Sequence, residues 1–407
     1  MIDDSGSRPL DGIKVLELGQ LLAGPFTGTL LGYFGADVIK VEPPKTGDPI
    51  RQWRILKDET SLWWRSLARN KKCVTLDLKS QEGRELVRQL IDQSDVLIEN
   101  FRPGTMEKWG LGPDEIKKTN PNLIYTRISG YGQTGPNSHK PGYASVTEAY
   151  SGFRYVNGFP GDAPVRPNLS MGDSLAGLHA AMGILLALLE RQKSKYKSGE
   201  KPGGQVVDIA LYESIFNLME GVVPEYDGAQ VIREPSGTTL TGIVPTNTYS
   251  CKDKKFVVIG GNGDSIFKRL MKVAGYSDMA NDTRMATNVG RVEHEQEIDA
   301  ALAQWTSTLT SQEVLDKLEE AKVPGGPIYN VADMFNDPHY QARGMFESVD
   351  VEGEPLTIPA ILPKLDRTPG RTEWAGPAIG SHNKSVYMDE LGLSEEEYNS
   401  LVLRGVI

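Results

Sequence analysis

Cysteine and histidine are scarce in this chain: of 407 residues only Cys73 and Cys251 are cysteines, and the five histidines are scattered at 139, 179, 294, 339 and 382. With no CxxC pair, neither a disulfide framework nor a zinc ribbon is available, and no metal site is expected. Both cysteines read as packing residues. The motifs GxxxxGK[ST], HExxH and GxSxG are also missing, which argues against a P-loop, a zinc hydrolase and a serine-hydrolase elbow. Long apolar runs are absent too. The longest, Ile184–Leu189, is too short to cross a bilayer, and Met1–Pro9 has neither the apolar core of a secretory signal nor the Arg-rich pattern of a transit peptide. The expectation is a cytoplasmic protein with no membrane span, a mitochondrial location being the alternative. A net charge of −10 argues against a nucleic-acid surface, which needs dominating clusters of Lys and Arg. A small polyanion can still be held by a local basic site.

What is present is a βαβ rhythm. Short β-branched runs at Ile13–Leu18, Asp37–Val41, Cys73–Leu78, Asp95–Glu99 and Leu123–Ser129 alternate with helical segments at Pro25–Tyr33 and Gln81–Asp92, the pattern of a parallel α/β sheet. In Gln81–Asp92, Leu86, Val87, Leu90 and Ile91 fall on one face and Glu85, Arg88 and Asp92 on the other, as in a helix that covers a sheet. Gly172–Asp173 opens a helix in which Ala176, Gly177, Ala180, Ala181 and Gly183 are mixed with Leu and Met, so it should be central and closely approached. It ends in the solvated Arg191–Gly204 loop, followed by a strand at Val206–Ile209 and a helix from about Glu213 to Met219. The loop Glu234–Thr241 and a strand pair around Thr246–Tyr249 and Lys255–Ile259 begin a second unit, helices dominate it through Glu320, and Lys322–Pro327 reads as its boundary. The expected domains are 1–225, 226–328 and a segment 329–407 that returns to the first. Gly260–Gly261–Asn262–Gly263–Asp264 follows a strand but lacks GxGxxG spacing, and reads as a strand-to-helix turn rather than a phosphate cradle.

Asp173 admits two readings. An acid at the start of a helix is a good N-cap. A half-buried carboxylate held as an anion at a helix N-terminus is also a nucleophile able to form a mixed anhydride with an acyl group. Earlier in the chain, Lys71, Lys72, Lys79, Arg102 and Lys108 punctuate strand ends, where phosphates could be neutralised.

Several blocks occur in order: Leu10–Leu18, Ala23–Gly24–Pro25, Leu31–Glu42, Gly47–Asp48, Arg69–Lys72, Glu99–Gly104, Gly130–Pro136, Pro141–Gly142–Tyr143, Gly172–Asp173, Asp337–Pro338–His339 and Ala342–Arg343–Gly344. Together they resemble the class III CoA-transferase (CaiB/BaiF) family, which includes formyl-CoA transferase, carnitine CoA-transferase and α-methylacyl-CoA racemase. The resemblance implies an α/β fold with a Rossmann-like large domain, a smaller α+β domain and an interlocked, linked-ring homodimer. It implies an enzyme whose nucleophile is Asp173, working through an aspartyl anhydride and an aspartyl-CoA thioester. Coenzyme A and acyl-CoA are then substrates, with no permanently bound cofactor. The positions it assigns to CoA are Ala23, Leu76, Lys79, Asn100, Phe101, Arg102, Lys108 and Tyr143, and those near the acid are Leu22, Trp53 and Gly242. Arg127 and Arg166 are candidates to pair a second carboxylate.

Pro43 stands where formyl-CoA transferase has a CoA-binding Arg, and Leu22 where it has a substrate-site Gln, so formyl transfer is not expected. The racemase branch carries a His near the Gly–Tyr motif; here the chain reads Gly142–Tyr143–Ala144, which favours transfer. Similarity is greatest to members that use short dicarboxylic acids, which points to succinyl-CoA as donor and an itaconate-, mesaconate-, malate- or glutarate-type acceptor. The alternatives are a 2-methylacyl-CoA racemase and a CoA-binding protein without turnover.

Overall fold

The computed structural model describes residues 6–197 and 203–407. The chain divides into two compact units, one built from 1–153, 167–220 and 342–407 and the other from 154–166 and 221–341. The larger unit therefore takes both chain ends, and the changeovers fall near Glu220 and Gln341 rather than at 225 and 328.

In the larger unit the strands are β1 (Lys14–Glu17), β2 (Asp37–Glu42), β3 (Lys71–Thr75), β4 (Val96–Glu99), β5 (Ile124–Ser129) and β6 (Val206–Ala210). All pair in parallel in the order β3-β2-β1-β4-β5-β6. The order reverses between β1 and β4, so the two chains leaving their carboxyl ends diverge and open a crevice. Helix α1 (Ala23–Tyr33) follows β1, and α2 (Gln81–Asp92) follows β3. Ser80 caps α2 by accepting the Gly83 N–H, and Leu86, Val87, Leu90 and Ile91 are buried as their spacing predicts.

Helix α3 (Ala144–Tyr150) packs on α4 (Met171–Lys197) and on α5 (Leu211–Phe216). Small residues make α4 central: a Cβ on Gly177 would lie 3.0 Å from the Ala23 carbonyl oxygen, and one on Gly172 3.1 Å from the Ala144 Cβ. By length and composition alone the stretch Met171–Lys193 of α4 could cross a membrane, a test that the core helix of a soluble protein also passes. Its Gly and Ala residues interrupt a run of large side chains without making the helix polar. Ala176, Ala180, Ile184 and Ala187 bury one face in the core beside the sheet, whereas Leu178, Met182, Leu185, Leu186 and Leu189 are exposed.

The smaller unit holds β7 (Thr246–Ser250) and β8 (Phe256–Gly260), antiparallel as their spacing suggests, with helices α6 (Asp264–Val273), α7 (Glu295–Ser307) and α8 (Ser311–Glu320). Gly260–Asp264 is the expected strand-to-helix turn, with Gly263 at the N-cap of α6. Lys322–Pro327 is not a boundary: Gly325–Pro327 forms β9, which pairs antiparallel with β8. The returning segment adds the hairpin β10 (Phe346–Val351) and β11 (Glu354–Pro359) to the larger unit. It ends on α9 (Glu395–Leu403), and Tyr398, Leu401, Val406 and Ile407 enter the main core there.

Candidate active site

The crevice between β1 and β4 is built from two short turns that hold each other. After β1, Asn100 binds the Gln20 backbone twice, accepting its N–H and donating to its carbonyl, both at 2.8 Å. After β4, Glu99 accepts the Phe101 N–H at 2.8 Å. Leu21 lies in the left-handed region at φ 64°, an uncommon conformation for a branched side chain. Its N–H is taken by both carboxylate oxygens of Asp48, at 3.1 and 3.2 Å. Leu22 then leads into α1, whose N-terminus has no side-chain cap.

These turns wall a cavity of about 230 Å³ that also takes Ser129, Lys140, Tyr143 and Asp173. Asp173 stands in the first turn of the 27-residue α4. The helix begins at Met171, and the Ser170 carbonyl accepts the Ser174 N–H at 3.0 Å. Asp173 is therefore inside the first turn and is not the N-cap. The helix end favours its anionic form. Glu148, fully buried on α3, accepts the Gly172 N–H at 3.4 Å.

A second cavity of about 600 Å³ shares Gln20 and Phe101 with the first and is walled by Pro43, Lys45, Leu76, Lys79 and Trp109, among others. Asp173 lines the first cavity and the cations Lys45 and Lys79 line the second, with Gln20 and Phe101 common to both. Phe101 and Trp109 meet edge to face at 5.2 Å in the wall of the second cavity.

Of the residues singled out in the sequence, the first cavity gathers Leu22, Ala23, Asn100, Phe101, Arg102, Tyr143 and Asp173, and the second Leu76, Lys79 and Phe101. Lys108 lines neither; its neighbour Trp109 does. Trp53 lies outside both cavities and is 40% exposed, stacked at a tilt on Trp63. Arg166 and Gly242 belong to the smaller unit, where the Gly242 carbonyl accepts from Asn288.

Three cations have other work. Arg127 is 6% exposed and donates to Glu99 at 2.8 Å and to Glu107 at 2.7 and 3.2 Å, so it braces the turn after β4 instead of entering the cavity. Burial pushes the Glu99 carboxyl up to about 7 even with that guanidinium beside it. Lys71 is fully buried against Glu17 at 2.8 Å and the Pro25 carbonyl at 2.6 Å, so it cannot meet a phosphate. Lys72 is held by Asp37 and Glu390.

Reading the sequence missed Lys140, Lys45, Gln20 and Trp109. Lys140 immediately precedes the Pro141–Gly142–Tyr143 motif, and that adjacency was the available signal.

The model of CoA-transferase family III matches residues 10–383. The chain is 46% identical over 402 residues to the succinyl-CoA–D-citramalate CoA-transferase of Chloroflexus aurantiacus, covering 98% of each. It is 35% identical over 390 residues to the succinate–glutarate CoA-transferase of Agrobacterium fabrum, covering 93% of this chain and 94% of that one. The crystal structure of a CAIB/BAIF family protein from Brucella suis superposes with a TM-score of 0.82 at 32% identity, over 94% of this chain and 99% of the other. Matches that run nearly end to end, on a fold whose crevice holds the motif aspartate, place the chain in CoA-transferase family III, as an enzyme that transfers coenzyme A.

Proposed function

We propose that the enzyme moves CoA from succinyl-CoA to a short dicarboxylic acid of the itaconate, mesaconate, malate or glutarate type, with Asp173 as the covalent nucleophile. The observation that carries this reading is Asp173 in the first turn of α4, lining a cavity that shares Gln20 and Phe101 with a second cavity carrying Lys45 and Lys79. The adenosine and phosphates of CoA fit the larger cavity beside Lys45 and Lys79, and the pantetheine arm passes Gln20 and Phe101 to bring the thioester to Asp173. Relatives named for transfer to citramalate, malate and glutarate support a dicarboxylate acceptor.

In this mechanism the Asp173 carboxylate attacks the thioester carbonyl, the C–S bond breaks, and CoA leaves as thiolate from a mixed anhydride. The thiolate attacks the aspartyl carbonyl and expels succinate, leaving an aspartyl-CoA thioester. The acceptor carboxylate attacks that thioester, releases the thiolate and forms a new anhydride. Attack of the thiolate on the acceptor acyl carbon gives the product thioester and restores Asp173.

The test is a panel of C4 to C6 dicarboxylates and matched monocarboxylates, with succinyl-CoA, acetyl-CoA and mesaconyl-CoA as donors. The expected result is a kcat/KM at least about 100-fold higher for one dicarboxylate than for its monocarboxylate analogue, the scale of a lost charge-assisted contact. Equal rates on both classes would refute dicarboxylate specificity. Exchange of the α-hydrogen of a 2-methylacyl-CoA in deuterated water, without transfer, would establish the racemase alternative.

The same reading takes the protein as an interlocked homodimer acting in the cytoplasm with no permanently bound cofactor. The exposed apolar face of α4, from Leu178 to Leu189, supports a covering partner. Sedimentation as a monomer at micromolar concentration would refute the dimer.

A further inference from the structure

Beneath the turn after β1 lies a buried network of charges. Glu17, Lys40, Glu42, Asp48 and Lys71 are at most 1% exposed and Arg51 is 6% exposed. Lys40 reaches Glu17 and Asp48, each at 2.9 Å, and donates to the Gly19 carbonyl at 2.8 Å. Glu42 pairs with Arg51 through both oxygens at 2.7 Å and accepts the Asp48 N–H at 2.7 Å. The network thus meets the turn at two points, the Gly19 carbonyl through Lys40 and the Leu21 N–H through Asp48. Asn100 holds Gln20 between them.

A turn with one side-chain partner for each of three successive residues is over-determined. The residue that most needs it is Leu21, whose left-handed backbone has no glycine to relax it. Leu22 and Ala23, which come next, line the cavity with Asp173, and they start α1 without a side-chain cap. The direction of their backbone N–H groups is set by the conformation of Leu21. Donors aimed in advance at developing charge need no reorganisation during reaction.

We infer that Asp48 is a positioning residue of the transferase reaction: it holds Leu21 in its left-handed conformation from below, and so aims the Leu22–Ala23 backbone at the group reacting on Asp173. Asp48 touches neither cavity, so it acts on the chemical step more than on binding. The inference rests on Asp173 being the nucleophile.

The experiment compares steady-state kinetics of Asp48→Asn and Asp48→Ala with Tyr33→Phe. Tyr33 lies at the other end of α1 and donates to Glu347 at 2.6 Å, so its variant loses a half-buried hydrogen bond away from the turn. Asn keeps an acceptor for the Leu21 N–H but loses the charge toward Lys40, whereas Ala loses both. The expected kcat loss is about 100-fold for Ala, the effect of a small misplacement at a reacting centre, and about tenfold for Asn, with KM for succinyl-CoA within about threefold. Tyr33→Phe should lower Tm and keep kcat within about twofold of wild type. Wild-type kcat in Asp48→Asn, or an equal kcat loss in Tyr33→Phe at matched Tm loss, would overturn the inference. Should Asp48→Ala fail to fold, Asp48→Asn decides by the same criteria. Hydroxylamine trapping on the wild-type enzyme separates the two claims: no adduct at Asp173 refutes the nucleophile, whereas an adduct with unchanged Asp48 variants refutes only the positioning role.

Discussion

Asp173→Ala is expected to lower CoA transfer by about 10⁴-fold or more, because removal of a covalent nucleophile abolishes the intermediate path instead of slowing one of its steps. Without it the acceptor carboxylate must attack the thioester directly, with no covalent intermediate on the enzyme. Binding should survive, since the remaining walls of both cavities, including Lys45, Lys79 and Phe101, are untouched. Succinyl-CoA should therefore bind the variant within a few-fold of wild type by calorimetry while turnover is lost. Asp173→Glu keeps the carboxylate but carries it one methylene further, and a displacement on that scale costs about 100-fold. The covalent step has a direct readout. Wild-type enzyme incubated with succinyl-CoA and hydroxylamine should be inactivated with a hydroxamate at Asp173, detected by peptide mass spectrometry, and neither reagent alone should do this. Transfer by Asp173→Ala above a hundredth of the wild-type rate would remove Asp173 from the mechanism.

Arg127→Met should destabilise the fold strongly. The side chain bridges Glu99, which is 1% exposed, and the more accessible Glu107. Removing one partner of a buried pair leaves an uncompensated charge, at a cost of about 3–5 kcal/mol. The sign of the pH dependence follows from Glu99. Its folded value of about 7 lies above the ordinary 4.5, so between these values the folded protein binds more protons than the unfolded chain. Its contribution to stability is complete below 4.5 and is lost as pH rises through 7. Without the guanidinium the carboxyl rises further, and the variant escapes much of the cost at low pH by keeping Glu99 protonated. Urea midpoints of the intact protein should show a large deficit for Arg127→Met at pH 8 that shrinks by about half or more at pH 5. A deficit independent of pH would show that Glu99 does not carry it. The variant also distinguishes the bracing role from direct recognition of the acid: if Arg127 paired the second carboxylate, KM for the dicarboxylate would rise selectively in protein of near-normal stability.

The α/β fold class was legible in the sequence because it is written locally. Alternating β-branched runs and the helical spacing of Leu86, Val87, Leu90 and Ile91 follow the repeat of strand and helix. The ordered motifs from Leu10–Leu18 to Ala342–Arg343–Gly344 carried the family, whereas residue chemistry alone left Asp173 as either a helix cap or a nucleophile. What the tertiary structure decided is which charges are spent inside the protein. Lys71, Arg127 and Lys79 look alike as basic residues near strand ends. Only folding places Glu17 against the first and Glu99 and Glu107 around the second, leaving Lys79 on the wall of a cavity. Asn100 likewise meets Gln20 across 80 residues of chain, and Asp48 meets Leu21 across 27. A charged side chain binds a ligand or braces the fold according to its neighbours in space, and those neighbours come from strands whose order, β3-β2-β1-β4-β5-β6, is not their order in the sequence.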